Sequence, residues 1–187
     1  MNRSILDKLI SSAGLIVAVV LLGASGGLFF AYNFIHAQVH DQLAAEKITF
    51  PAMGSESLAA LPGADKTAVE QYAGQQLLTG AQAEAFADHY IAVHLKNIGG
   101  GKTYSELSAQ SIANPTDTAL AGKVNTVFKG ETLRGLLLNA YAFDTMAVVA
   151  RYAAFGTLVA GIVLLVLSGL GFMHAASTQS KSGKRKR

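Results

Sequence analysis

The stretch LISSAGLIVAVVLLGASGGLFFAYNFI, residues Leu9–Ile35, and the stretch YAAFGTLVAGIVLLVLSGLGFM, residues Tyr152–Met173, decide the fold of this chain. Neither stretch contains Lys, Arg, Asp, Glu or His. A helix needs about 20 predominantly apolar residues to cross a hydrocarbon core of about 30 Å. We therefore predict two transmembrane helices, at residues 9–35 and at residues 147–173, the second with Arg151 near its start.

The first apolar stretch invites comparison with a secretory signal peptide, because Arg3 and Lys8 precede it. Signal peptides have apolar regions of about 7–15 residues, followed by a cleavage site with small residues. The stretch here is 27 residues long, and Phe34–Ile35–His36 does not provide such a site. The sequence therefore predicts an uncleaved span.

Charge predicts the orientation of the chain in a membrane. Residues 1–8 carry a net charge of +1, residues 174–187 a net charge of +5, and residues 36–146 a net charge of −4. Cytoplasmic segments are the ones enriched in Lys and Arg. We therefore predict a plasma-membrane protein with a cytoplasmic N-terminus at 1–8, an extracytoplasmic domain at 36–146 and a basic cytoplasmic tail at 174–187.

Basic residues next to the spans are expected to contact lipid rather than nucleic acid. Juxtamembrane Lys and Arg are attracted to anionic lipid by about 1 kcal/mol each. Arg151 is expected to extend its guanidinium back to the outer headgroups. The predicted headgroup contacts are Arg151, Lys184, Arg185, Lys186 and Arg187.

The chain between the spans predicts helices. Ala81–Ile98 carries an apolar stripe with helical spacing, Thr79 or Gly80 is placed to cap its start, and glycines end it. The stripe consists of Ala83, Phe86, Ala87, Tyr90, Ile91, His94 and Leu95. In contrast, residues 51–66 contain Pro, Gly and Ser and predict an irregular loop.

Helices next to both spans are expected to run on into the domain. Tyr32–Glu46 contains no Pro or Gly, so the first span is expected to continue as a helix. Thr103 and Glu106 have the spacing of a capping box for a short helix. Thr116 or Asp117 is placed to cap a long helix that enters the second span. A second apolar stripe in that helix comprises Leu133, Leu136, Leu137, Ala140 and Tyr141. The predicted fold is all-α: two transmembrane helices with a small extracytoplasmic helical domain, formed partly by extensions of both spans.

Histidines are the weak candidates for a metal site. His36 and His40 are four residues apart, so a helix places them on one face. A metal would need further ligands from another segment, such as His89, His94 or Asp88. Two half-exposed histidines explain the same pair without a metal. We therefore predict no metal, no cofactor and no catalytic residue, and read the scattered acids, Asp65 among them, and His89 as a solvated surface.

Small residues in the spans predict helix packing. Gly23 and Gly27 form a GxxxG motif, and Gly156 and Ala160 repeat that spacing. Such positions let helices approach closely. The sequence leaves three partners open: the other span, a second copy of the chain, or a different subunit.

The order of motifs resembles that of a known family. In order, the motifs are EKITFPA at 46–52, AFADHY at 85–90, GGGKTYSEL at 99–107, the turn at 114–115 and LRGLLLNAYAF at 133–143. Over about residues 41–173 the chain resembles small actinobacterial two-span membrane proteins, often labelled ring-opening-dioxygenase-like. The resemblance implies an accessory subunit of a respiratory supercomplex, in which a cytochrome bcc complex joins a cytochrome oxidase.

The enzymatic label of that family has no support in these residues. A ring-opening dioxygenase of the extradiol type holds iron with two histidines and a carboxylate. Here His36 and His40 are expected at a membrane surface, and His89 and His94, five residues apart, are expected on diverging helix faces. We therefore expect a non-enzyme that supports assembly or stability of the supercomplex. Its expected partners are membrane lipids and respiratory subunits, with no nucleic acid and no small-molecule substrate. Two alternatives stay open: a metal-dependent envelope enzyme using His36 and His40, and a homo-oligomeric envelope protein without a respiratory link.

Overall fold

The computed structural model describes the backbone of residues 3–184 and the side chains of residues 4–177. Within that part the chain is all-α, as predicted, and it divides into two compact units. We call Met1–Phe34 with Ala147–Arg187 the span pair, and Ile35–Met146 the folded unit. In chain order the helices are α1 (Arg3–Glu46), α2 (Glu56–Ala59), α3 (Gly63–Glu70), α4 (Gly80–Ala85), a π-helical segment (Phe86–Ile91), α5 (Ala92–Gly99), α6 (Tyr104–Ala113) and α7 (Thr118–Lys184).

Both predicted spans belong to long unbroken helices. α1 has 44 residues and α7 has 67, so each contributes to both units. Both are long and apolar enough to cross a membrane. Only 11% and 17% of their most apolar windows are buried within the chain, whereas the core helix of a water-soluble protein is mostly buried. The prediction that α1 continues to Glu46 and that α7 runs unbroken into the second span is confirmed.

Helix ends in the folded unit follow local sequence chemistry. Thr79 caps α4 and Thr103 caps α6, each in a complete capping box. The Asp117 carboxylate accepts a hydrogen bond of 2.9 Å from the Leu120 amide at the start of α7. Gly100 ends α5 in the left-handed conformation, with φ of 62°, which glycine adopts at little cost. The capping predictions are therefore confirmed, with Asp117 as the cap of α7.

The predicted irregular loop at residues 51–66 is partly wrong. α2 lies within it and α3 begins within it. Leu58 and Val69 are 1% and 0% exposed, so each short helix is held by one buried apolar side chain. Helices this short are not stable alone, because they form too few hydrogen bonds to offset the cost of nucleation. Burial of Leu58 and Val69 in the core stabilises them instead. An isolated antiparallel bridge joins Thr49 to Gln76.

One aromatic and aliphatic core lies inside the folded unit. Phe50 is 2% exposed and contacts the rings of Tyr72 and Phe86 at centroid distances of 5.2 Å. The core cluster is Val39, Leu43, Phe50, Leu58, Leu61, Val69, Leu77, Ala83, Phe86, Ala87, Ile91, Leu95 and Leu137. The stripe predicted in α4 and α5 is therefore confirmed at its main positions.

The second predicted stripe, in α7, is partly wrong. Leu137 is in the core and Ala140 packs against it, but Leu133, Leu136 and Tyr141 are exposed. The face of α7 turned inward carries Val127, Gly130 and Leu137 instead. A run of consecutive leucines covers much of a helix circumference, so spacing alone does not select the buried ones.

Small residues at every seventh position hold the span pair together, along a line that we call the seam. The buried seam residues are Ser11, Ala18 and Ser25 of α1, and Ala147, Ala154, Ser168 and Ala175 of α7. The Ser25 hydroxyl donates a hydrogen bond of 2.9 Å to the Ala154 carbonyl. A Cβ at Gly161 would lie 2.9 Å from Leu22 Cγ, so only glycine fits there without movement. A seven-residue repeat keeps one face of each helix on its neighbour.

Candidate functional site

His36 and His40, the weak candidates for a metal site, each lie beside a carboxylate. His36 Nδ1 lies 2.8 Å from Asp144 Oδ1, which joins α1 to α7 within the folded unit. His40 Nδ1 lies 3.2 Å from Oδ1 of its neighbour Asp41, and both side chains are exposed. The two candidate histidines therefore engage different carboxylates.

The proposed additional metal ligands are each engaged elsewhere. His89 Nδ1 lies 2.8 Å from Asp65 Oδ1, and both side chains are partly buried. His94 Nδ1 lies 2.8 Å from the Tyr90 carbonyl oxygen. Among the described residues, no group of three or more His, Cys, Asp or Glu side chains could hold a metal ion. The interpretation of His89 and Asp65 as a solvated surface was wrong, because they join the π-helical segment to α3.

The π-helical segment places two adjacent polar side chains on different partners. Asp88 accepts a hydrogen bond of 2.6 Å from Arg134 Nη2 of α7, whereas His89 meets α3. Glu131 adds a weaker contact of 3.6 Å to Arg134. The bond to Asp88 raises the pKa of Arg134 further above its usual range. π-Helical turns are often found at functional sites, and here the turn serves to tie three helices together.

The predicted packing glycines lie away from the seam. A Cβ added at Gly23, Gly27 or Gly156 would meet no heavy atom within 4 Å in the described chain, and Ala160 is exposed. With 3.6 residues per turn, Gly23 and Gly27 face away from Ala18 and Ser25 on α1. We call Gly23, Gly27, Gly156 and Ala160 the outer small-residue positions. Of the three partners left open by the sequence, the other span of this chain does not occupy them.

A cavity lies at the end of the span pair that holds Ser11 and Ser168. Its volume is about 480 Å³, and its lining includes Asp7, Gly14 and His174. One carboxylate oxygen of Asp7 is buried without a hydrogen-bond partner among the described residues. Asp7 and His174 lie just outside the predicted spans, at residues 9–35 and 147–173. The cavity therefore lies at one end of the seam.

Arg151 lies among tyrosines in the span pair. Its Nη1 donates to the Tyr32 hydroxyl at 3.4 Å, and its guanidinium carbon lies 5.2 Å from the Tyr32 ring centroid and 5.6 Å from that of Tyr152. From sequence alone, Tyr32 is expected at the membrane surface, where tyrosines are enriched, and Arg151 near the outer headgroups. The sequence does not predict Tyr152 as a neighbour of Arg151, nor the contacts that join Arg151 to the two tyrosines.

Several predicted sites have no counterpart in the described side chains. Lys184 is the last residue of α7, and Arg185, Lys186 and Arg187 lie outside the described residues.

Three features of the described residues can support a function: the outer small-residue positions, the folded unit with its histidine–carboxylate and Asp88–Arg134 pairs, and the contacts of Arg151. The chain matches none of the protein-family models, curated proteins or solved structures with which it was compared.

Proposed function

We propose that this protein is a non-catalytic accessory subunit that packs beside a larger membrane assembly and supports its assembly or stability. The outer small-residue positions are the observation that carries the proposal. Glycine at such positions lets a neighbouring helix approach closely. Gly23 and Gly27 are exposed, and a Cβ added at either would meet no atom within 4 Å among the described residues, although other small residues of the same helix are buried in the seam.

The class of assembly follows from the sequence resemblance. Residues 46–49 (EKIT) and 101–107 (GKTYSEL) are the most specific motifs shared with the actinobacterial two-span family. We therefore propose a respiratory supercomplex of cytochrome bcc and cytochrome oxidase as the partner. The basic termini and the acidic stretch 36–146 support an orientation with both ends in the cytoplasm and the folded unit outside.

Affinity purification in a mild detergent tests the proposal directly. The expected result is haem absorbance together with cytochrome and oxidase subunits in amounts comparable to the tagged chain. A colourless preparation that contains this chain alone, even in gentler detergents, would reject stable membership of the supercomplex.

Replacing Gly23 and Gly27 with Leu tests the outer small-residue positions. Overpacking of a tight contact costs about 1–3 kcal/mol, which corresponds to about a fivefold to hundredfold loss of association. The matched control is Gly169→Leu, because a Cβ at Gly169 also meets nothing within 4 Å in the described part of the chain. Equal recovery of haem with both variants would remove Gly23 and Gly27 from the interface.

A second copy of the chain is the alternative occupant, since the same outer small-residue positions would suit a homo-oligomer. The mass of the purified, detergent-corrected particle separates the two candidates. A particle that contains only this chain, in two or more copies, favours the envelope homo-oligomer. Elemental analysis of the same sample tests the remaining alternative, an enzyme that binds metal through His36 and His40.

A further inference from the structure

Arg151 lies at the depth of lipid headgroups if the two helices cross a bilayer. The uncharged stretch that follows it ends at Met173, and 22 residues of helix span about 33 Å. Tyr32 lies near the end of the other uncharged stretch, which begins at Leu9. Since the hydrocarbon core is about 30 Å thick, Arg151 and Tyr32 lie at the same boundary of that core.

The guanidinium of Arg151 has no counter-ion in the described chain. None of the ion pairs among described residues includes Arg151. Its polar contacts are with the hydroxyls of Tyr32 and Tyr152, and both rings lie at cation–π distance. A guanidinium has five N–H donors in a planar fork. Most of these donors remain available, in a geometry that suits a phosphate.

Apolar surface suited to an acyl chain lies next to the guanidinium. Phe155 follows Arg151 by four residues, so it lies on the same helix face, one turn deeper in the apolar stretch. Phe155 is 51% exposed, and its ring contacts Phe29 edge to face at 5.0 Å. Along α7 the cationic Arg151 therefore comes before the aromatic Phe155. A phospholipid has the same order, with its phosphate at the surface and its acyl chain deeper in the bilayer.

We propose that Arg151, Tyr32 and Tyr152 form a binding site for the phosphate group of a membrane phospholipid, with the acyl chain along Phe155. The two rings orient the guanidinium by cation–π contact, and its remaining N–H groups donate to the phosphate oxygens. An anionic headgroup neutralises the guanidinium, so phosphatidylglycerol binds more tightly than phosphatidylcholine. This inference goes beyond the proposed function, because it requires membrane crossing but no protein partner.

Native mass spectrometry of the delipidated, purified full chain tests the site. The chain is titrated with phosphatidylglycerol, with phosphatidylcholine and with inorganic phosphate, and adducts are counted. The wild type is expected to hold phosphatidylglycerol, and Arg151→Gln to bind it about tenfold more weakly, as expected from losing a charge-assisted hydrogen bond. The matched control is Lys129→Gln, which removes one exposed positive charge from the same helix and should leave binding unchanged.

Three results would overturn the proposal. The first is equal phosphatidylglycerol binding by the wild type and Arg151→Gln. The second is competition by inorganic phosphate at concentrations equal to the lipid, which would make the ligand a free anion. The third is unchanged lipid binding combined with loss of co-purified subunits, which would assign Arg151 to a carboxylate of a protein partner.

Additional variants keep the test decisive if Arg151→Gln does not fold. Arg151→Lys keeps the charge but loses the planar fork, so weaker phosphatidylglycerol binding is expected. Tyr152→Leu removes a ring that orients the guanidinium and is expected to weaken binding as well. If both folded variants bind as the wild type does, the site is rejected. Retained haem in the affinity purification would still support the proposed function in that case.

Discussion

The same two helices, α1 and α7, pack by different means in the span pair and in the folded unit. In the span pair their buried residues are Ser, Ala and Gly at seven-residue intervals. In the folded unit α1 buries Val39 and Leu43, and α7 buries Val127 and Leu137. A single helix therefore changes the size of its buried side chains along its length.

The solvent explains the difference. In water, burying a large apolar side chain contributes about 1.5–3 kcal/mol, so the folded unit gains from Phe50, Phe86 and Leu77. Lipid tails are as apolar as leucine, so a span gains little from burying one. Close approach of backbones, which small residues permit, increases packing and allows contacts such as the Ser25–Ala154 hydrogen bond. Residue size on a helix face thus indicates which medium surrounds it.

The largest expected effect is on the folded unit, through Phe50→Ala. Phe50 is 2% exposed and touches two aromatic rings, so its loss should lower the free energy of unfolding by about 3–5 kcal/mol. Thermal unfolding followed by the near-ultraviolet circular dichroism of the tyrosines measures the change. The matched control is Phe143→Ala, at a ring that is 55% exposed, with an expected change below about 1 kcal/mol. Equal destabilisation by both variants would contradict the assignment of the core.

The next effect concerns the seam, through Gly161→Leu. The new side chain would meet Leu22 and the Ala18 carbonyl, which should cost about 1–3 kcal/mol of span association. The native chain has no cysteine, so a Ser25→Cys, Ala154→Cys pair reports the approach of the two helices by disulfide formation in membranes.

The control for the seam is again Gly169→Leu, because no described residue lies within 4 Å of a Cβ added at Gly169. Cross-linking should fall in the Gly161→Leu background and stay unchanged in the Gly169→Leu background. If Gly161→Leu left cross-linking intact, the spans would not depend on close packing along the seam.

A smaller effect is expected from the ion pair between Asp88 and Arg134. Their side chains are 36% and 32% exposed, so solvent screens the 2.6 Å contact. A double-mutant cycle with Asp88→Asn and Arg134→Gln should give a coupling energy below about 1 kcal/mol, and added salt should reduce it. A coupling above about 2 kcal/mol that is insensitive to salt would mean that the pair acts as a buried network.

The smallest effect is a pH dependence at the start of α6. Hydrogen bonds from the backbone and the side chain of Thr103 lower the pKa of Glu106 below its usual value of 4.5. Because the folded pKa is lowered, the stabilisation is present above about pH 4.5 and is lost as the pH falls through the folded pKa. The protection of the Glu106 and Leu107 amides, measured as observed exchange relative to the intrinsic rate at each pH, should therefore fall in acid.

Glu106→Gln is the control for the acid effect. Glutamine keeps the capping-box geometry but does not titrate in this range. Between neutral pH and about pH 3, the variant should lose no more protection at these amides, relative to intrinsic exchange, than the chain as a whole. An identical pH response in Glu106→Gln would assign the effect to another group.

Local sequence was sufficient for the long helices and for the capped helix ends, but not for α2 and the start of α3, which lie in a stretch predicted to be irregular. Capping depends on residues three apart, so Thr103 with Glu106 could be recognised without any tertiary contact. The π-helical segment could not be recognised, because it depends on the partners that Asp88 and His89 find on α7 and α3. The pair of His36 with Asp144 is 108 residues apart in sequence, and no spacing rule connects residues at such a distance.

The sequence by itself determined the two uncharged spans, the all-α class and the capped helices, because each depends on hydropathy or on hydrogen bonds within a few residues. Only the tertiary structure decided which small residues form the seam and which stay outside. Gly161 and Gly156 are chemically identical, yet among the described residues a Cβ added at Gly161 would meet Leu22 and one added at Gly156 would meet nothing within 4 Å. The choice depends on the rotation of each helix about its axis, which is set by packing against the partner helix.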